Sequence, residues 1–297
     1  SDSHTDLPCK AQWKWPERTL ILAATPIGNL GDASQRLIQA LAQATIIAAE
    51  DTRKAQQLIK GLGVATHPRL RFVSCFEHNE HRRAPSLVDA IISEGEQVLA
   101  ISDAGMPTVS DPGYVLTSHA IECGINVSVI PGPSAVVSAL AVSGLPSDRF
   151  CFEGFVPRKA VALQRFFRQL KDETRTMIFF ESAQRIHATL GVAAEVFGND
   201  RPAALCREMT KIYEETLRGT LQELYERTST GMKGEIVFLL HGAIDKSVHI
   251  TIEEAVNAAK ELASSDDIRL KQACKRIAGT CEYSASDIYD HAQQISS

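Results

Sequence analysis

Aromatic residues make up only 6% of this 297-residue chain, and no apolar run in it is long. A membrane-crossing helix needs roughly 18 to 20 consecutive apolar residues, so no membrane partner is expected. The seven cysteines (Cys9, Cys75, Cys123, Cys151, Cys206, Cys274, Cys281) are odd in number and scattered, without a C-x-x-C pair. That excludes a disulfide framework and a cysteine zinc site, and points to reduced thiols in a cytoplasmic protein. The dinucleotide fingerprint G-x-G-x-x-G and the Walker loop with its lysine are both missing, which argues against a phosphate-rich nucleotide. Positive charge is not in surplus either: 31 Lys and Arg stand against 36 Asp and Glu, a net charge of −5. Nucleic acid could then be held only by local clusters. Candidates are Arg69 with Arg71, Arg82 with Arg83, and the series from Arg158 and Lys159 through Arg165 to Arg175. The last group equally suits the solvated face of a helix whose apolar stripe is Leu163, Phe166, Phe167 and Leu170.

What the chain does have is length, 44% hydrophobic residues and a regular alternation of short apolar runs with amphipathic segments. Two α/β domains are expected. Residues 1–18 read as a disordered leader or expression remnant, 19–144 as the first domain, 145–244 as a mixed second domain and 245–297 as a small helical tail. In the first domain, continuous apolar strands at 20–24, 45–49, 71–75, 97–102 and 126–130 alternate with helices, the pattern of a parallel sheet covered on both faces. In the second, 203–209 and 213–219 read as an antiparallel hairpin. The tail opens with Thr251-Ile252-Glu253-Glu254 in capping-box style; it suits a partner-binding appendage or a stabilising cap.

Three loops follow predicted strands: Thr25-Pro26-Ile27-Gly28-Asn29-Leu30, Ser102-Asp103-Ala104-Gly105-Met106-Pro107 and Pro131-Gly132-Pro133-Ser134-Ala135. In an open parallel sheet, ligands bind outside the carboxyl ends of the strands, where helix N-termini converge. The crevice can therefore be placed from these loops. Each loop residue also has a plain role open to it: Asp103 can cap a turn, Ser134 can cap a helix, and glycines simply permit tight turns. The sequence His78-Asn79-Glu80-His81 has no carboxylate at helical spacing and no cysteine partner, so it is read as substrate-side rather than as a metal site.

Together with Ala49-Glu50-Asp51-Thr52-Arg53, Ser110-Asp111-Pro112-Gly113, Gly144-Leu145-Pro146-Ser147, Arg207-Glu208-Met209-Thr210-Lys211 and Lys233-Gly234-Glu235, these ordered motifs resemble the tetrapyrrole methylase superfamily, and within it the bacterial small-subunit rRNA ribose 2′-O-methyltransferases. The resemblance spans about residues 20–242. It implies two α/β domains with S-adenosylmethionine in a cleft between them, a homodimer, no metal, and methylation of a cytidine ribose 2′-oxygen in the decoding region of 16S rRNA, in the assembled small subunit. Carried over by motif, Pro26, Ile27, Asp103, Met106, Ser134 and Ala135 fall at the cofactor, with Glu181 a second-domain contributor. Met106 departs from the family's usual Thr, so packing replaces a hydroxyl contact there. Substrate-side residues are Asp51, Arg53, His78, Asn79, Arg158 and Lys159. A methyltransferase acting on a small tetrapyrrole is the alternative, disfavoured by the charged motifs Glu50-Asp51-Thr52-Arg53 and Arg207-Glu208. A non-catalytic RNA-binding module would leave the cofactor loops without purpose.

The implied reaction is an in-line displacement, in which alignment of oxygen, carbon and sulfur supplies most of the rate. The remaining need is a base for a weakly acidic hydroxyl, or a cation to stabilise the alkoxide. Glu50, Glu208, Lys211 and Lys233 lie on the right motifs, and the sequence does not choose among them. Glu208 and Lys211 could equally pair with one another.

Overall fold

A computed structural model describes residues 13–110, 113–244 and 249–294. The chain divides into two compact units, 1–134 and 135–297.

In the first unit, β1 (Thr19–Ala23), β2 (Ile46–Ala49), β3 (Arg71–Ser74), β4 (Val98–Ile101) and β5 (Asn126–Ile130) form a parallel sheet in the order β3-β2-β4-β1-β5. Side chains alternate across a strand, and here both sets are buried. Leu20, Leu22, Ile46, Ala48, Val98 and Ala100 pack on one face with α3 (Glu80–Glu94) and α4 (Tyr114–Glu122). Ile21, Ala23, Ile47, Ala49, Leu99 and Ile101 pack on the other with α1 (Gln35–Gln43) and α2 (Thr52–Leu62). Covering both faces removes the need for polar positions, which is why the three inner strands read as unbroken apolar runs. The edge strands β3 and β5 keep exposed residues. The α1 cap is Ser34, whose Oγ accepts from the Leu37 N–H at 3.0 Å.

The expected leader needs correction where it can be seen. Residues 1–12 lie outside the described residues, but Trp13 and Trp15 pack against the α1–α2 face of the core. The Gln43 side chain donates to the Trp13 carbonyl (2.9 Å), and Trp15 Nε1 donates to the Thr19 carbonyl (3.2 Å).

The second unit opens with α5 (Ala135–Ser143) and holds β6 (Phe150–Phe155), α6 (Ala160–Gln169), β7 (Thr176–Ser182), α7 (Ile186–Phe197), β8 (Pro202–Arg207), β9 (Glu215–Thr220), α8 (Leu221–Arg227) and β10 (Glu235–Leu240). The sheet order is β6-β7-β10-β8-β9; β6 runs parallel to β7 and the other pairings are antiparallel. One face packs Met177, Phe179, Leu205 and Phe238 against α6, α7 and α8. The other packs Ile178, Ala204, Val237 and Leu239 against Val136, Ala139 and Leu140 of α5. That burial explains why the division falls after Ser134 and not at 144–145 as the sequence suggested: α5 supplies one whole side of the second core.

The tail helices α9 (Ile252–Ser265), α10 (Leu270–Ala278) and α11 (Ala285–Gln294) bury Val256, Ala259, Ala273, Cys274 and Ile288 among themselves. They are also docked to the rest of the second unit. Arg276 reaches Glu223 of α8 (3.7 Å) while paired with Asp266 (3.1 Å), and Gly279 lies so close to the Asp200 carbonyl and Pro202 that a β-carbon there would collide. Six cysteines are free among the described residues; burial pushes the Cys75 thiol up to about 11 and the Cys151 thiol to about 12. Among the described residues no helix is long and apolar enough to cross a membrane, and no group of three or more His, Cys, Asp or Glu could hold a metal.

Candidate functional site

The chain leaves β1 toward β2 and leaves β4 toward β5, on opposite sides of that β1–β4 pair. Connections that diverge in this way open a crevice at the carboxyl ends of the two strands. The loops there are fastened to one another by backbone. Thr25 and Gly105 exchange N–H to carbonyl bonds, both 3.0 Å, and the Ala24 N–H donates to the Ile130 carbonyl at 3.0 Å. The buried Ser102 hydroxyl donates to the Gly105 carbonyl (3.0 Å). Gly105 has φ +80°, and a β-carbon there would press on Ile27 (3.3 Å) and the Pro133 carbonyl (3.4 Å). One glycine thus lets three loops meet. The buried Thr25 hydroxyl has no hydrogen-bond partner among the described residues. A polar, backbone-rich cradle with an orphaned hydroxyl can take a small ligand that carries polar groups.

Asp103 ties its own loop to the Glu50-Asp51-Thr52-Arg53 motif and the start of α2. Its Oδ1 accepts from the Asp51 backbone N–H (3.1 Å) and its Oδ2 lies 2.9 Å from Lys54 Nζ. Burial pushes the Glu50 carboxyl up, helped by the charges of Asp103 and Asp51 and opposed by Lys54. Asp51 caps α2 and pairs with Arg53 (3.2 Å); that hydrogen bond holds the Asp51 carboxyl down. Two of the expected substrate-side residues are therefore tied to each other.

Asn79 builds the turn before α3, accepting from the Phe76 N–H (2.8 Å) and donating to the Ser74 carbonyl (3.1 Å). Exposed His78 sets its ring edge-on to Phe76. The residue that sequence reasoning passed over is Glu80. Only 4% exposed, it accepts from the N–H groups of Gly113 (2.8 Å) and Leu116 (3.0 Å), capping α4 from 33 residues away. It thereby anchors the far end of the loop that carries Asp103 and Met106. No local spacing announces such a cap; only the packing of α3 beside α4 brings it there.

Met106, Pro26 and Ile27 are half-buried in these loops. Ser134 ends the first unit and Ala135 opens α5. Glu181 is almost wholly enclosed: its oxygens accept from the Ser182 N–H (2.7 Å) and the Thr189 hydroxyl (2.6 Å), with Arg185 at 3.5 Å. Both oxygens thus serve the second unit's own fold. Glu208 accepts from the Glu235 N–H (2.8 Å), the chief reason its carboxyl is held down, and lies 3.3 Å from Lys211 Nζ. Lys211 also pairs with Glu235 (3.0 Å); burial works against its charge, but the two carboxylates outweigh it. Glu208 and Lys211 are thus a salt bridge, the pairing the sequence allowed. Exposed Lys233 lends its carbonyl to Arg207 (3.4 Å), and Arg158 and Lys159 are exposed ahead of α6.

The model of the Tetrapyrrole (Corrin/Porphyrin) Methylases matches residues 19–225, and the chain belongs to that family. The methyltransferase CobJ has the same fold, with a TM-score of 0.57 at 19% identity over 77% of this chain and 95% of that one. Much nearer in sequence is the Ribosomal RNA small subunit methyltransferase I of Mycobacterium tuberculosis (strain CDC 1551 / Oshkosh), 45% identical over 87% of this chain and 88% of its own. The protein of that name from Xylella fastidiosa (strain Temecula1 / ATCC 700964) is also 45% identical, over 77% and 83%. The chain is a methyltransferase.

Proposed function

We propose that this methyltransferase transfers the methyl group of S-adenosylmethionine to the ribose 2′-oxygen of a cytidine in the decoding region of 16S rRNA, acting in the cytoplasm as a homodimer on the assembled small subunit. The observation that carries the cofactor reading is the junction of three loops at Thr25, Gly105 and Pro133, with its unpaired Thr25 hydroxyl. Bound there, S-adenosylmethionine supplies a methyl group already activated by sulfonium charge. Pro26, Ile27 and Met106 give it apolar walls, and Asp103 and Ser134 give it polar contacts. Asp103 is itself fixed by Lys54 and the Asp51 N–H, so it can receive a ligand without rearranging.

Glu50 is the carboxylate suited to hold a substrate proton, because burial and two neighbouring acids raise its proton affinity. Glu208 is suited to the opposite role. A hydrogen bond from backbone and a lysine keep it ionised, so it orders Lys211. Arg158 and Lys159 offer phosphate contacts, with Asp51, Arg53, His78 and Asn79 on the substrate side.

Incubating the protein with methyl-labelled S-adenosylmethionine and either assembled small subunits or naked 16S rRNA, then mapping the label by nuclease digestion, tests this reading. Label on a ribose oxygen of one cytidine is expected, stronger with subunits. Label on a base, or none on RNA while a small tetrapyrrole is methylated, overturns it.

A further inference from the structure

Strand pairing brings one end of the second sheet together. β6 ends at Phe155 opposite Phe180, β7 ends at Ser182 opposite Glu235, β10 begins beside Arg207, and Arg207 ends β8 opposite Glu215. The segments that leave this end carry Arg158 and Lys159 after β6, Lys233 before β10, and Lys211 to Tyr213 between β8 and β9. Among the described residues Arg158, Lys159 and Lys233 are exposed and form no ion pair, so three cations are open to a ligand at this end, beside Glu208, Glu215 and Glu235, which are engaged by Lys211 and Arg207.

Two aromatic rings stand at the same end, in a chain with few. Phe155 is 69% exposed and Tyr213 74%. Phe155 is aimed by a defect in the ladder. The register shifts between Phe152 and Gly154, and Gly154 has φ +72°. An extra residue in one strand reverses the side-chain alternation beyond it. Phe155 is thereby thrown onto the same side as Phe152, and both rings meet Phe180 edge-on, at 5.3 and 4.9 Å. A regular strand would have sent Phe155 to the opposite face. With Phe180 braced by Phe152, Phe155 is fixed in direction yet open to solvent. β6 and β9 are the two edges of the sheet, so the rings mark opposite ends of a front four strand spacings wide, about 19 Å.

We infer that this sheet end is a track for single-stranded RNA, on which Phe155 and Tyr213 stack unpaired bases while Arg158, Lys159 and Lys233 meet the intervening phosphates. The inference rests on the RNA reading above. A stacking ring tolerates any base, because every base has a π-face, whereas a duplex hides those faces. Specificity for the strand's single-stranded state follows, rather than for its sequence.

The test is fluorescence anisotropy with a short labelled single-stranded RNA and the same RNA annealed to its complement, using the full chain and its variants, with small-subunit methylation measured in parallel. Phe155→Ala and Tyr213→Ala should each weaken single-strand binding roughly 5-fold or more without changing its salt dependence, since the cations that meet the phosphates stay in place. Phe155→Leu, which keeps an apolar side chain against Phe180, should fail in the same way, and Phe155→Trp should restore binding. The double variant Arg158→Ala with Lys159→Ala should instead flatten the slope of log affinity against log salt by roughly 0.7 for each phosphate no longer neutralised. Wild-type affinity in Phe155→Ala and Tyr213→Ala, rescue by Phe155→Leu, or equal binding of duplex and single strand overturns the stacking track. If the wild type methylates small subunits in that event, the activity stands and only the track falls. If it neither binds nor methylates RNA, both fall.

Discussion

The carboxyl ends of the first sheet and the loaded end of the second make opposite use of the chain. In the first unit, the loops are joined by backbone hydrogen bonds around Thr25, Gly105 and Ile130, and their charged groups are mostly acidic: Glu50, Asp51 and Asp103 around Lys54. In the second unit, strand ends project side chains, basic and aromatic, with Glu208, Glu215 and Glu235 neutralising only some of them. The first arrangement is rigid and costs little to keep in place, which suits a small ligand gripped in one pose. The second is open and adaptable, which suits a long polyanion.

The largest effect expected is at the hidden support of the first arrangement. Glu80→Ala strands two buried N–H groups, each costing about 1–3 kcal/mol, so urea unfolding should show a loss of about 2–6 kcal/mol. An unchanged midpoint would mean that α4 does not depend on this cap. Next is Asp103→Ala, which should weaken S-adenosylmethionine binding roughly 10-fold or more by calorimetric titration; unaltered affinity in the folded variant removes Asp103 from the site. The milder Asp103→Asn sharpens the acid–base half of the comparison. Glu50 has a raised carboxyl, so activity that needs its ionised form fails as pH falls through that raised value. Removing the neighbouring charge and releasing Lys54 should shift this acid limb of the pH–rate profile to lower pH at saturating cofactor. An unmoved limb would show that Glu50 does not set it.

In the second unit, Gly234 has φ +95°, and a β-carbon on it would collide with the Glu208 carboxylate. Gly234→Ala should therefore cost about 1–3 kcal/mol and loosen the Glu208–Lys211 pair, leaving S-adenosylmethionine affinity unchanged; full stability in thermal melts would show that the turn rearranges freely. The smallest effect is at Glu173, whose carboxyl Arg175 holds down at about 2. A depressed folded-state value means that the pair stabilises the protein above the ordinary carboxylate range, near 4.5, and that this is lost as pH falls toward 2. Because Arg175 is half exposed, solvent screening keeps the contribution small. Glu173→Gln should lower the melting temperature slightly at pH 6 and converge with wild type near pH 2; a constant difference across that range would rule out the ion pair as its cause.

Strand positions were readable wherever burial was uniform. β1, β2 and β4 are apolar or buried at every residue, and β8–β9 is the antiparallel pair that its alternation suggested. Helix α8 was missed although Thr220 and Glu223 form a full capping box, a T-x-x-E signature that local reading can find. The loops at Thr25, Asp103 and Pro131 were equally legible, because tight turns after buried strands demand glycine and proline in the chain itself.

What the sequence alone determined through local periodicity and turn chemistry is the alternation of elements and the crevice loops; the family and the methyltransferase class came from the resemblance of its ordered motifs. What only the tertiary structure decided are the partnerships between residues far apart in the chain. Glu80 with Gly113, Lys54 with Asp103, Glu208 with Gly234, and the bulge that turns Phe155 outward depend on which strands and helices become neighbours. A carboxylate or an aromatic ring looks the same in sequence whether it caps, pairs or waits in solvent; its role is set by the charges and donors that packing places within about 3 Å of it.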